Sequence, residues 1–318
     1  MLEALLVVAA KVGVLFILMS IGYVCNKTGL LREPAVKGMT DLVLFVVTPC
    51  ILVTAFQRDY EPALMGGLGQ AFAVTLVSNL VCISAAHALV RDPAKRRRRV
   101  LRFGLVFSNS AFMAVPLQQS LLGADGVFYG AAPIAVFNIL LWTYGLALMG
   151  GADGGGAKSG IPMRKIFLNP GMIGCVLGVT FFLARVRLPA IIFEPMDWMG
   201  KLNTPLPMLI IGYYLAEADL KRIATDLRAV WVIFLRLAAT PLIILALLLL
   251  SGIDNTTMLL ACMITSSAPV AASTTMFAAK FDQDTILSVE LVAFSTLISI
   301  ATMPVMIALS MRLFGALA

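Results

Sequence analysis

Charge is scarce in this chain. Of its 318 residues only 13% are charged and 60% are hydrophobic, with three tryptophans and a single histidine. A soluble domain needs more polar surface than that, so soluble enzymes and soluble binding modules are excluded. One histidine leaves no material for a histidine metal centre. No His-Glu-x-x-His, Gly-x-Ser-x-Gly or dinucleotide fingerprint occurs either, and neither enzyme activity nor a cofactor or metal is expected. The five cysteines, Cys25, Cys50, Cys82, Cys175 and Cys262, show no CxxC spacing and read as small apolar packing residues. The Gly-rich stretch around Gly156-Ala157-Lys158-Ser159 lacks the glycine directly before lysine that a phosphate loop requires, and reads as a flexible linker.

What remains is hydrophobic length. The mean hydropathy of +0.96 marks an all-α polytopic membrane protein. Apolar windows of about 20 residues fall at ten positions, approximately 4–26, 36–56, 66–90, 101–122, 126–149, 167–187, 194–216, 230–250, 256–279 and 285–311. The first is preceded by Glu3 and reads as a retained span, not a signal peptide. Alternate loops on one side carry seventeen Lys and Arg, including the run Lys95 to Arg99, against five on the other. The positive-inside rule then puts both termini outside a cell (plasma or inner) membrane. For the basic run, a topogenic or anionic-lipid role is favoured over nucleic-acid binding.

Two spans are interrupted in matching places. Phe107 to Pro116 and Ile264 to Ser273 each set small polar residues and a proline inside an apolar span. Proline removes a backbone donor and clashes with the preceding turn, so each span is expected to divide into half-helices, with the second halves beginning near Pro116 and Pro269. Lipid tolerates such breaks only beside protein or a cavity. Thr48-Pro49 and Thr204-Pro205 add to the pattern, since Pro49 and Pro116 are 67 residues apart and Pro205 and Pro269 are 64. Five spans per half imply two inverted five-helix repeats, residues 1–149 and 167–318, joined by a linker at 150–166. Paired helix N-termini would hold a carboxylate without a fixed cation. Asn109 is the first candidate contact, with Ser108, Ser110, Ser266, Ser267, Ser273 and Thr274 supplying hydroxyls and Pro116 and Pro269 the geometry. Ser and Thr also serve close helix packing. Asn138 fits either the same cavity or a hydrogen bond to a neighbouring helix. Of the ionisable residues within spans, Asp41, Arg236 and Glu290 are expected near the basic side, where snorkelling or ion pairing accounts for them. His87 is expected to be structural, and Lys11 to snorkel or to attract anions.

These motifs resemble the auxin efflux carrier family, which includes plant PIN carriers and bacterial malate and malonate permease-like proteins. The likeness rests on Phe107 to Leu117, Gly126-Val-Phe-Tyr129, Phe137 to Gly145, Asn169-Pro170, Thr204-Pro205-Leu206, Ser267-Ala-Pro269 and Ser295 to Ser299. It implies crossing broken helices four and nine, as in bile-acid-transporter and NhaA-like folds. It also implies a scaffold of helices 1, 2, 6 and 7, a moving transport core of helices 3–5 and 8–10, a small carboxylate substrate and a homodimer. The leading expectation is a secondary carrier for a small organic anion working by alternating access. The alternatives are a sodium-coupled symporter of bile-acid-transporter type, or a sensor or anion channel on the same fold. Coupling to H+ or Na+ stays open.

Overall fold

The computed structural model describes residues 2–150 and 170–315; the linker expected at 150–166 lies, apart from Gly150, outside the described residues. The described chain is helical. It runs α1 (Leu2–Lys27), α2 (Glu33–Leu42), α3 (Thr48–Ala55), α4 (Pro62–Leu89), α5 (Lys95–Val106), α6 (Val115–Leu140) and α7 (Leu146–Gly150). It resumes with α8 (Pro170–Leu183), α9 (Ala190–Lys201), α10 (Pro205–Glu217), α11 (Leu220–Thr225), α12 (Leu227–Phe234), α13 (Thr240–Leu250), α14 (Thr256–Ser267), α15 (Ser273–Lys280) and α16 (Thr285–Leu313). Among the described residues six helical stretches are long and apolar enough to cross a membrane, and α8 and α14 are shorter apolar helices. One of the six, Ser110–Gly150, has 41 residues, about 60 Å at 1.5 Å per residue and twice a hydrocarbon core. Gly123, with φ +64°, breaks it into two runs. The expected span 194–216 is likewise divided, because α9 ends at Lys201 and Pro205 opens α10 after a short turn.

Four wide i→i+5 turns interrupt the α-helical ladder, at Val43–Val47, Ser110–Ala114, Leu141–Gly145 and Leu235–Ala239. Three are followed at once by a proline: Pro49, Pro116 and Pro241. A proline ring collides with the carbonyl four residues back and donates no hydrogen bond, and the wider turn absorbs both defects without ending the helix. Pro116 therefore does not open the second half-helix as its sequence context suggested. The break lies upstream, at Phe107–Asn109.

α1 packs lengthwise on α10, while α3 lies against α8 and α9. The first contact is set by glycine. A Cβ on Gly212 would overlap the carbonyl oxygen of Met19, and one on Gly22 would overlap that of Leu209, so each backbone touches the other where it has no side chain. Small residues allow this approach in lipid, where packing replaces the hydrophobic drive between helices. Gly212→Ala is expected to force α1 and α10 apart and to cost about 1–3 kcal/mol, read as a lower melting temperature of the purified protein. Gly13→Ala, with open space around it, is expected to leave the melting temperature unchanged or slightly raised.

Candidate functional site

The two interruptions meet. α5 ends at Val106 and α14 at Ser267, and the extended residues beyond them run antiparallel, with Ser108 paired to Val270. Asn109 N donates to Pro269 O at 2.8 Å and Ala271 N to Phe107 O at 2.9 Å. The Val270 amide is taken by Ser295 Oγ of α16 at 3.2 Å. This short bridge satisfies backbone groups that the broken helices would otherwise leave bare in an apolar interior.

The carbonyl ends of both half-helices converge on one side chain. Arg236 is 2% exposed. Its Nε donates to Ala268 O at 3.2 Å, its Nη1 to Leu105 O at 3.2 Å and its Nη2 to Ser266 O. Helix C-termini carry partial negative charge and unsatisfied carbonyls, and a single guanidinium closes two of them. Three of its five N–H groups are used in this way. A fixed cation thus lies at the crossover, beside the helix dipoles that the sequence reading invoked. Arg236 does not snorkel: it lies nine residues into the stretch that starts at Leu227, and its guanidinium is buried against backbone carbonyls.

Arg236 lines a small cavity with Ser108, Thr265 and Ser266 of the crossover and Thr75, Ser78, Asn79 and Cys82 of α4. None of its lining residues is acidic. Its volume of about 30 Å³ holds roughly two waters.

The positive ends of the broken helices differ from the negative ones. Neither the run beginning at Ser110 nor α15 has a side-chain cap, whereas Asp219, Asp226, Asn255 and Asp284 cap helices at the periphery. Asn109 Nδ2, Ser267 Oγ, Ser273 Oγ and Thr274 Oγ1 are buried without a hydrogen-bond partner. Leaving such a group unpaired costs about 1–3 kcal/mol each. These four are the hydrogen-bonding capacity that the crossover holds in reserve.

The remaining sequence candidates sort as follows. Ser108 Oγ and Ser110 Oγ are 3.0 Å apart, and Ser266 Oγ donates to Met263 O at 3.0 Å within its own helix. Pro269 lies in the break, while Pro116 is buried in continuous helix. Asn138 Nδ2 donates to Ile134 O at 2.9 Å, one turn back on α6, and does not line the cavity. Glu290 is ion-paired with Arg222 at 3.4 Å. His87 lies between Arg102 and Tyr144, at 3.2 and 3.1 Å, while Lys11 and Asp41 are exposed. The polar face of α4 was missed from sequence, and so was Gln118, which is fully buried and bonds Ala261 O and Thr265 Oγ1 at 2.9 and 3.0 Å. Thr75, Ser78 and Cys82 recur at helical spacing along a largely apolar span, and this was the available signal.

Comparison with known proteins gives the family. Residues 7–307 match the family described as "Membrane transport protein". A relative from Methanothermobacter thermautotrophicus, described as an uncharacterized transporter, is 24% identical over 300 residues, covering 91% of this chain and 93% of its own length. The chain therefore belongs to the membrane transport protein family, that of the auxin efflux carriers, and is a membrane transporter.

Proposed function

We propose that this protein is a secondary carrier for a small organic anion, a mono- or dicarboxylate, that works by alternating access. In this reading the halves are inverted repeats, and the expected spans within 66–149 and 230–311 move as a core against a scaffold of the spans within 4–56 and 167–216. The observation that carries it is the charge state of the crossover. Arg236 sits buried among three carbonyls and no carboxylate, and two uncapped helix N-termini stand beside unpartnered amide and hydroxyl donors. An acid group supplies what this arrangement lacks, a negative charge with acceptor oxygens. Room for about two waters is too little for a dicarboxylate, which fits a closed core that must open to load.

Arg236 also weighs against the sodium-coupled alternative. Carbonyl oxygens gathered at two helix C-termini are the ligand chemistry of a hard cation. Here a guanidinium already satisfies them, so the bound anion is balanced by a charge that belongs to the chain.

A thermal-stability screen of the purified protein against mono- and dicarboxylates is expected to yield a stabilising ligand, since a ligand that prefers the folded state raises its apparent stability. Asn109→Ala is expected to weaken binding of that ligand at least about tenfold, some 1.4 kcal/mol, with the melting temperature of the free protein little changed. Unaltered affinity removes Asn109 from the site. In proteoliposomes, saturable counterflow of the same ligand is expected to persist when sodium is replaced by potassium or choline. Uptake that collapses without sodium overturns the assignment of Arg236 as the resident counter-charge. Arg236→Met is expected to abolish counterflow and to lower the melting temperature, because it strands three buried carbonyls. Full transport by that variant rejects the electropositive crossover.

A further inference from the structure

A second electropositive feature lies just beyond the C-terminal end of α4. Arg91, Arg98, Arg102 and Arg228 line a cleft of about 340 Å³ together with Asp92 and Pro93. Their partners decide what the cleft can hold. Arg98 Nη1 donates to Asp92 O at 3.0 Å, and Arg102 donates to Val90 O at 3.3 Å and His87 O at 3.4 Å. Backbone carbonyls orient these guanidiniums without neutralising them. The cleft's one carboxylate, Asp92, has a fully buried side chain that is already shared among Arg97, Arg228 and the Ala94 amide. Four arginines therefore face the cleft against a single acid. Their neighbours are balanced, since Arg96 pairs with Asp282 and Arg97 with Asp226. Arg98 and Arg102, held by carbonyls rather than by carboxylates, are matched to the paired oxygens of a phosphate.

An apolar groove lies next to the cleft in the chain. The last three turns of α4, from Val77 through Leu80, Ser84 and Ala88 to Leu89, line a surface groove of about 510 Å³. Small residues form its floor between larger apolar ones, and Val77, Leu80 and Leu89 are each about half exposed. Its final residue, Leu89, and the first arginine of the cleft, Arg91, are separated only by Val90, so the two features lie within about 7 Å along the chain. An apolar groove followed directly in the chain by a cluster of guanidiniums matches an amphipathic anion with an apolar tail. We propose that α4 and the arginine cleft together bind an anionic glycerophospholipid, with its phosphate among Arg91, Arg98, Arg102 and Arg228 and an acyl chain along the groove. The lipid tethers the C-terminal end of α4, the helix whose Thr75, Ser78, Asn79 and Cys82 line the cavity containing Arg236.

The test uses the full-length protein in detergent, titrated with phosphatidylglycerol, with phosphatidylcholine of the same chains, and with inorganic phosphate. Native mass spectrometry reads bound lipid, and thermal melting reads stabilisation. Phosphatidylglycerol is expected to remain bound at one per chain and to raise the melting temperature, with phosphatidylcholine and inorganic phosphate at least tenfold weaker. The double variant Arg98→Gln, Arg102→Gln is expected to lose this retention tenfold, whereas Arg96→Gln, which removes the same kind of charge outside the cleft, retains it. Ser84→Leu fills the groove on an exposed face and is expected to weaken lipid without altering the free protein. Equal binding of phosphatidylcholine, or equal loss in Arg96→Gln, overturns the site in favour of a diffuse surface effect. Inorganic phosphate matching the lipid, or Ser84→Leu without effect, overturns the acyl groove.

Discussion

Backbone that leaves its helix inside a membrane has to find partners there, and one arginine supplies three of them. Everything distinctive about the crossover follows from this constraint. Two helices stop in mid-span, their extended tails pair through Ser108 and Val270, and the carbonyls that remain turn toward Arg236. The result is polarised. One side of the crossover has its negative helix ends closed by a guanidinium, and on the other side uncapped helix starts face unpartnered side-chain donors. A buried cation without a carboxylate would be costly anywhere, and in lipid the three carbonyls are what make it tolerable.

The presence of two interruptions, and the stretches containing them, were legible because proline and small polar residues stand out against apolar sequence. The level of the first break was not. Pro116 looks like the disruptor, yet the wide turn at Ser110–Ala114 accommodates it, and the chain breaks two turns earlier where Phe107 and Asn109 gain partners across the interface. No local propensity encodes a hydrogen bond to Pro269. Arg236 was visible as a charge in an apolar run, but its meaning depended on where α12 begins. The helix starts at Leu227, capped by Asp226, three residues before the expected span, and the arginine faces carbonyls that only the folded crossover brings to it. Element ends are the least certain part of any sequence reading, and the partners of a buried side chain are not encoded locally at all.

The same sequence arranges its surplus positive charge on two principles. At the basic rim, Arg96 and Arg97 are answered by Asp282 and Asp226, and such pairs fix the short loops between helices. Arg98 and Arg102 are answered by carbonyls instead, as Arg236 is in the interior. Orientation without neutralisation is therefore a recurring device in this molecule. It appears once where a carried anion is proposed to sit and once where the bilayer's own anions are at hand.

The wide turns have a further consequence. Each holds one residue more than an α turn, and one residue is about 100° of rotation. The helical rod from Glu33 to Ala55 shows the effect: α2 faces α10 before the turn at Val43–Val47, and α3 faces α8 and α9 after it. A single rod thus keeps two different neighbours in register by being deliberately out of phase with itself. Deleting one codon within Val43–Val47 would restore a regular helix and swing the whole of α3 off its seam, whereas the same deletion in a loop would pass unnoticed.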